Sequence, residues 1–243
     1  MGIEDFYLYM KGEKNLPEKS FLLTFDDGRK NSYYPVDPIL NTLGFKAVNF
    51  IITGRSIDGK KLKHPFPLIE WELQDMLMTN HWELQSHGQY DHELYPVDAH
   101  GTLGHFLSNK LWRADEMRLE TQEEFTQRIN HDLTQSKKQM EALGVHAIAF
   151  AFPFSDFGQN SINFPESKPI ILKTVQAIYP LAFYQLWEGV GDTFNYPDKN
   201  EFMIKRLTVL SSWSAGDLLS LLETGTPKEL PFYDNMSVDK GWI

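Results

Sequence analysis

Two periodicities run along the chain. Short apolar runs such as Phe21-Leu22-Leu23-Thr24-Phe25 read as buried strands. Stretches with an apolar residue at every third or fourth position read as helices. Strands are expected at about 21–25, 46–52, 82–86, 147–152, 181–185 and 203–209. Helices are expected near 34–43, 68–79, 121–142 and 168–178, with a last one capped by Ser214 and running to about 223. The clearest is 121–142. Thr121 and Glu124 form a capping-box pattern, and Phe125, Ile129, Leu133, Met140 and Leu143 make an apolar stripe. Gly144 stops it, as Gly44 closes the first helix. Residues 93–117 carry neither period and are too long for a plain connector, which marks a functional or poorly ordered segment. No internal repeat or low-complexity run interrupts the pattern.

Strands that alternate with helices predict an α/β fold with a parallel sheet wrapped by helices. At 243 residues, with 42% hydrophobic content, the chain suits one large domain with a substantial core. It contains no cysteine, so disulfides, thiolate nucleophiles and cysteine metal sites are excluded. The formal net charge of −10 argues against a nucleic-acid partner. It would steer a substrate that becomes cationic as amines are exposed. No apolar run reaches membrane-spanning length, so the chain is not expected to be transmembrane. The acidic start Met1-Gly2-Ile3-Glu4-Asp5 shows no signal peptide, as for a chain whose leader has been removed. Oligomeric state is not readable.

Candidate chemistry lies at two strand ends. Thr24-Phe25-Asp26-Asp27-Gly28 places two carboxylates side by side where the first strand stops. Adjacent strand side chains point to opposite faces, but a turn at Gly28 can bring both acids to one pocket. The same triplet, Asp-Asp-Gly, is also ordinary turn chemistry. The third strand runs into His87-Gly88-Gln89-Tyr90-Asp91-His92. Histidines five apart diverge around a helix and face opposite sides of a strand. They converge only if the chain bends, which Gly88 permits. Two imidazoles and a carboxylate with open positions suit a catalytic divalent metal. Either histidine alone reads more often as a solvated or core-satisfied residue than as a ligand.

These residues carry a resemblance to the NodB-type polysaccharide deacetylases of carbohydrate esterase family 4. The family's first motif, T-F-D-D-G, is intact. Its second usually has histidines four apart. The five-residue spacing here resembles the branch that deacetylates poly-β-1,6-N-acetylglucosamine in biofilm matrix. Lys46–Gly54 resembles that branch's second strand, and Phe150-Ala151-Phe152-Pro153-Phe154 its third motif. The resemblance covers roughly residues 20–210 and implies an irregular (β/α) barrel of about seven strands, although six are counted. It divides the chain into an N-terminal extension (1–20), a catalytic domain (21–225) and a tail or linker start (226–243). Asp27, His87 and His92 are implied as metal ligands, with zinc first and cobalt, nickel or iron as alternatives. Asp26 is implied as general base, and the N–H of Phe154, just after Pro153, as oxyanion donor. The implied substrate is an acetylated polysaccharide, and the implied location a bacterial cell envelope or the extracellular space.

The chain departs from the family in two respects. Where the family has an arginine that orients the base, this chain has Ala151-Phe152-Pro153. Arg206 is the candidate substitute, against the reading of an ordinary ion pair. The family's late Leu-[Ser/Thr]-His general acid is also absent. The biofilm branch carries its equivalent before the first motif, yet residues 1–20 contain no histidine. His105, in the 93–117 stretch, is the nearest substitute; it and the other remaining histidines also read as ordinary polar positions. Tyr90, Pro153 and Trp187 are the expected substrate contacts, with Phe154 and Phe157 as further sugar-stacking candidates; core packing is the competing reading, stronger for Phe154 and Trp187. The Lys60-Lys61-Leu62-Lys63 run reads as a solvated loop. Peptidoglycan, chitin and acetylxylan remain alternative substrates. A catalytically weak carbohydrate-binding homologue is the alternative of another class, and the intact Asp26 argues against it.

Overall fold

The computed structural model describes residues 1–17, 19–57, 66–186 and 194–223. In chain order its elements are α1 (Ile3–Met10), β1 (Leu23–Asp26), α2 (Lys30–Tyr33), α3 (Asp37–Leu43), β2 (Ala47–Ile51), α4 (Thr53–Ser56), α5 (Glu70–Met78) and β3 (Trp82–Ser86). Then follow β4 (Leu94–Pro96), β5 (Leu103–His105), β6 (Trp112–Arg113), β7 (Arg118–Leu119), α6 (Gln122–Ala142), β8 (Ala149–Ala151), α7 (Ser167–Ile178), β9 (Leu181–Leu186), β10 (Met203–Leu207) and α8 (Ala215–Glu223). Two compact units result. The first holds Met1–Tyr184 and Pro197–Ile204, the second Gln185–Tyr196 and the residues from Lys205 onward.

The main sheet has the order β1-β2-β3-β8-β9-β10. Among the described residues it contains the six strands expected from the pattern. Pairing is parallel from β1 through β9. Each connection returns to the neighbouring strand, and parallel crossovers share one hand, so the connecting helices collect on one face. Side chains sort accordingly with period two. Ala47, Ile51, Phe150 and Ala182 join a core with Leu40 of α3, Met76 of α5, Phe125 and Leu133 of α6, and Val175 of α7. Val48, Phe50, Ala149, Ala151, Leu181 and Phe183 face the other way, onto Ile3, Phe6 and Met10 of α1. Burial on both faces explains why these strands read as unbroken apolar runs. The sequence pattern gave no sign of α1. Its N-terminus is held by Glu83 of β3, whose carboxylate accepts from the Ile3 N–H at 2.5 Å, a favourable place for negative charge.

The 34–43 helix starts later than expected, at Asp37, because Pro35 separates it from the single turn α2. Residues 93–117 are ordered as antiparallel pairs: β4 with β5, and β6 with β7 across 112–119. α6 begins as its capping box predicts. The Glu124 N–H donates to Thr121 Oγ1 at 3.2 Å, and the Thr121 N–H donates to the Glu124 carboxylate at 2.8 Å. In the second unit, the Asp217 N–H donates to Ser214 Oγ at the start of α8.

Candidate active site

The carboxyl ends of β1, β3 and β8 meet at one place. Strand β1 stops at Asp26 because the next two residues are left-handed, Asp27 at φ 70° and Gly28 at φ 63°. That reversal cancels the alternation of strand side chains. Asp26 Oδ2 lies 3.7 Å and Asp27 Oδ1 3.8 Å from the same atom, His87 Nε2. The turn is pinned by the Gly28 N–H donating to Asn49 Oδ1 and by the Leu68 N–H donating to the Gly28 carbonyl at 2.7 Å.

Strand β3 delivers the histidines. The His87 N–H extends the ladder to the Ile51 carbonyl at 2.9 Å, and Gly88 then turns left-handed at φ 78°. The bend brings the His87 and His92 rings to 4.1 Å between centroids. Asp132 of α6 holds the loop between them, accepting from the N–H groups of Gln89 (3.0 Å) and Tyr90 (2.8 Å). Sequence reasoning missed this residue. Its signal was a carboxylate set between Ile129 and Leu133 on the apolar face of a helix. Burial, helped by the Asp91 charge, pushes Asp132 up to about 7.

Each imidazole is oriented through Nδ1. His87 Nδ1 lies 2.7 Å from the Ala151 carbonyl at the end of β8, and His92 Nδ1 lies 3.0 Å from Asp91 Oδ1. A proton on Nδ1 satisfies both acceptors and leaves Nε2 as a lone pair, the arrangement that fixes metal-ligating histidines. Burial brings His92 down to about 4, partly opposed by Asp27, so its ring is neutral at neutral pH. Burial likewise raises Asp91 well above the usual carboxylate range.

Ligand atoms of Asp27, His87 and His92 all lie within 4.8 Å of one another. His92 Nε2 is buried with no hydrogen-bond partner and stands 3.8 Å from Asp27 Oδ1. Ligand atoms about 2.1 Å from one tetrahedral ion stand roughly 3.4 Å apart, so this set fits a metal with small adjustment. An orphaned buried imidazole nitrogen is otherwise costly.

The third strand end completes the site. After buried Pro153, Phe154 (φ 55°, ψ 15°) and Ser155 (φ 55°) are both left-handed, a strained pair for residues with side chains. Phe154 is 51% exposed, against the reading that placed it in the core. It lies 5.8 Å from the His92 ring. Phe157 packs instead on Phe152 and Tyr184. Tyr90 lines a cavity of about 450 Å³ with Tyr95, Arg128, His131 and Asp132; none of the three ligand candidates lines it. Arg206 lies half-buried on β10, in the second compact unit. Trp187, His64 and the Lys60–Lys63 run fall outside the described residues.

Comparison with known proteins bears on the fold and the family. Two solved structures share the fold. A de-N-acetylase from Aggregatibacter actinomycetemcomitans superposes with a TM-score of 0.72 at 18% identity, covering 90% of this chain and 81% of that one. The BpsB deacetylase domain from Bordetella bronchiseptica gives 0.64 at 21% identity, covering 82% and 75%. The fold is therefore the irregular (β/α) barrel expected from the sequence. Among curated relatives, the poly-beta-1,6-N-acetyl-D-glucosamine N-deacetylase of Escherichia coli (strain K12) is 29% identical over 171 residues, 66% of this chain and 25% of the relative. The enzyme of that name from Staphylococcus aureus (strain MSSA476) is 34% identical over 111 residues, 45% of this chain and 34% of the relative. The matches thus span only a quarter to a third of these relatives. No helix among the described residues is long and apolar enough to cross a membrane. The polysaccharide deacetylase family model matches residues 13–168, and the chain belongs to that family.

Proposed function

We propose that the chain is a metal-dependent N-deacetylase that removes acetyl groups from N-acetylglucosamine units of a biofilm or cell-envelope polysaccharide. The observation that carries this reading is a second carboxylate, Asp26, beside a complete ligand set. A binding protein that kept Asp27, His87 and His92 would have no use for it. The names of the curated relatives support the poly-β-1,6-N-acetylglucosamine polymer over chitin, peptidoglycan or xylan. A polymer of that kind puts the work outside the cytoplasm.

Asp27, His87 and His92 would hold the ion, zinc being the first candidate for two nitrogens and one oxygen. A divalent ion there would supply Lewis acidity, lowering the pKa of a water and polarising the acetyl carbonyl. Asp26 takes the proton from the attacking water, being close enough to the ligand set to reach the same molecule. Just after Pro153, the Phe154 N–H would donate to the oxyanion. His87 and His92 keep their Nδ1 protons on Ala151 and Asp91 throughout.

The test is acetate release from poly-β-1,6-N-acetylglucosamine oligomers, with chelator and then with zinc or cobalt restored. Release that stops with chelator and returns with metal is expected. No release by a folded, metal-loaded protein would overturn the reading.

A further inference from the structure

Breaking an amide requires a proton for the leaving nitrogen, because a free amine anion does not depart in water. We propose that His105, held by Asp156, is the acid that delivers it. The assignment rests on the deacetylase reading above.

His105 ends β5, in the stretch without periodicity. Its Nδ1 lies 2.6 Å from Asp156 Oδ2. Asp156 is 1% exposed and fixed from its other oxygen, which accepts from the N–H groups of Gly158 and Asn160. A buried carboxylate on Nδ1 keeps a proton on that nitrogen and fixes the plane of the ring. The side chain is partly exposed, and with Nδ1 taken by Asp156 the nitrogen left to donate is Nε2. It stacks on Phe154 at 4.5 Å between centroids and 12° between planes. Phe154 in turn touches His92. One exposed ring therefore bridges the dyad and the metal cluster, and its own backbone carries the proposed oxyanion donor.

The described histidines outside the candidate ligand set otherwise lie elsewhere. His81 is tied to Asp37 and His146 to Glu4, both before the strands that follow them. His100 lies exposed in the turn between β4 and β5, and His131 faces the cavity beside α6.

In the step itself the tetrahedral carbon–nitrogen bond breaks with its electron pair on nitrogen. His105 enters this step as the imidazolium, and its Nε2 proton goes to that nitrogen as the carbonyl re-forms, leaving the neutral ring with Nδ1–H. Acetate and the free amine leave, and water reprotonates the imidazole while Nδ1–H stays on Asp156.

Leaving-group dependence tests this. An aryl acetate departs as a phenolate and needs no proton. The full chain and His105→Gln would be assayed, metal-loaded, on N-acetylglucosamine oligomers and on 4-nitrophenyl acetate. His100→Gln serves as control. A donor role predicts a loss of roughly 10²–10⁴-fold in kcat on the amide for His105→Gln, far smaller loss on the ester, and unchanged metal content. Asp156→Asn should show the same selectivity in weaker form, and covers a His105 variant that fails to fold. Equal losses on both substrates would overturn the donor role in favour of packing against Phe154, and no loss on either would overturn it outright. A wild-type chain that cleaves the ester but not the amide would overturn the deacetylase reading, and the donor with it.

Discussion

Gly88 and Asp91 meet where no side chain could stand between them. A Cβ built on Gly88 would lie 2.0 Å from Asp91 Oδ2, and Gly88 is at φ 78°. The glycine is needed for its conformation and again for its emptiness, since Asp91 must occupy that space to reach His92 Nδ1. Gly88→Ala should therefore displace Asp91 and leave the His92 ring unoriented. Loss of a partner of this kind costs about 10–100-fold in metal affinity. Competition with a chromogenic chelator measures it. An unchanged affinity in a folded Gly88→Ala protein would mean that Asp91 does not orient the ligand.

Asp26 and Asp27 are neighbours with separable duties. Asp26→Asn keeps size and shape but cannot accept a proton. Turnover should fall by roughly 10²–10⁴-fold while metal content stays at the wild-type level. Asp27→Asn should lose metal first and activity as a consequence. Metal analysis beside acetate release separates the two, and metal loss from Asp26→Asn would contradict the division.

Much of this candidate site was legible in the sequence because its candidate ligands sit in motifs that punctuate strands. Thr24–Gly28 and His87–His92 each combine an apolar run, a turn glycine and metal-binding side chains within a few residues. What could not be read depends on contacts between distant segments. Asp132 reaches Gln89 and Tyr90 across 43 and 42 residues, and Asp156 reaches His105 across 51. No local pattern announces such pairs. Helix α1 escaped for another reason. Eight residues flanked by Gly2 and Lys11 carry little helical signal, and tertiary packing supplies the rest. The left-handed Phe154 was also unreadable, because nothing in Pro-Phe-Ser demands that conformation.

Asp132 should give metal-free protein a distinctive pH dependence. Burial and the Asp91 charge raise it to about 7 in the fold, while an unfolded aspartate titrates near ~3.9. Between those values the folded state holds a proton that the unfolded state has released. Stability is then fully present below about pH 4 on this group's account, and falls as pH rises towards 7. Asp91, raised in the same direction, adds to the slope. Asp132→Asn should flatten the dependence of the urea midpoint between pH 4 and 7. It should also cost about 1–3 kcal/mol at the acid end, because one backbone N–H loses its acceptor. An Asn variant with the wild-type slope would remove Asp132 as its source.

Helix α1 packs into the core. Phe6 lies 6.0 Å from Phe183, Phe183 5.3 Å from Phe50, and Phe50 6.4 Å from the His87 ring, all between centroids. Phe6 is 6% exposed, so its removal opens a cavity behind that row. Phe6→Ala should cost about 3–5 kcal/mol, read as a lower denaturant midpoint at unchanged slope. The row also connects α1 to His87, a candidate ligand, so the metal affinity of the folded variant should fall as His87 gains freedom. A loss below about 1 kcal/mol would instead fit a surface position. A full stability loss with unchanged metal affinity would show that the Ala151 carbonyl alone fixes His87, and that α1 supports the sheet without reaching the site.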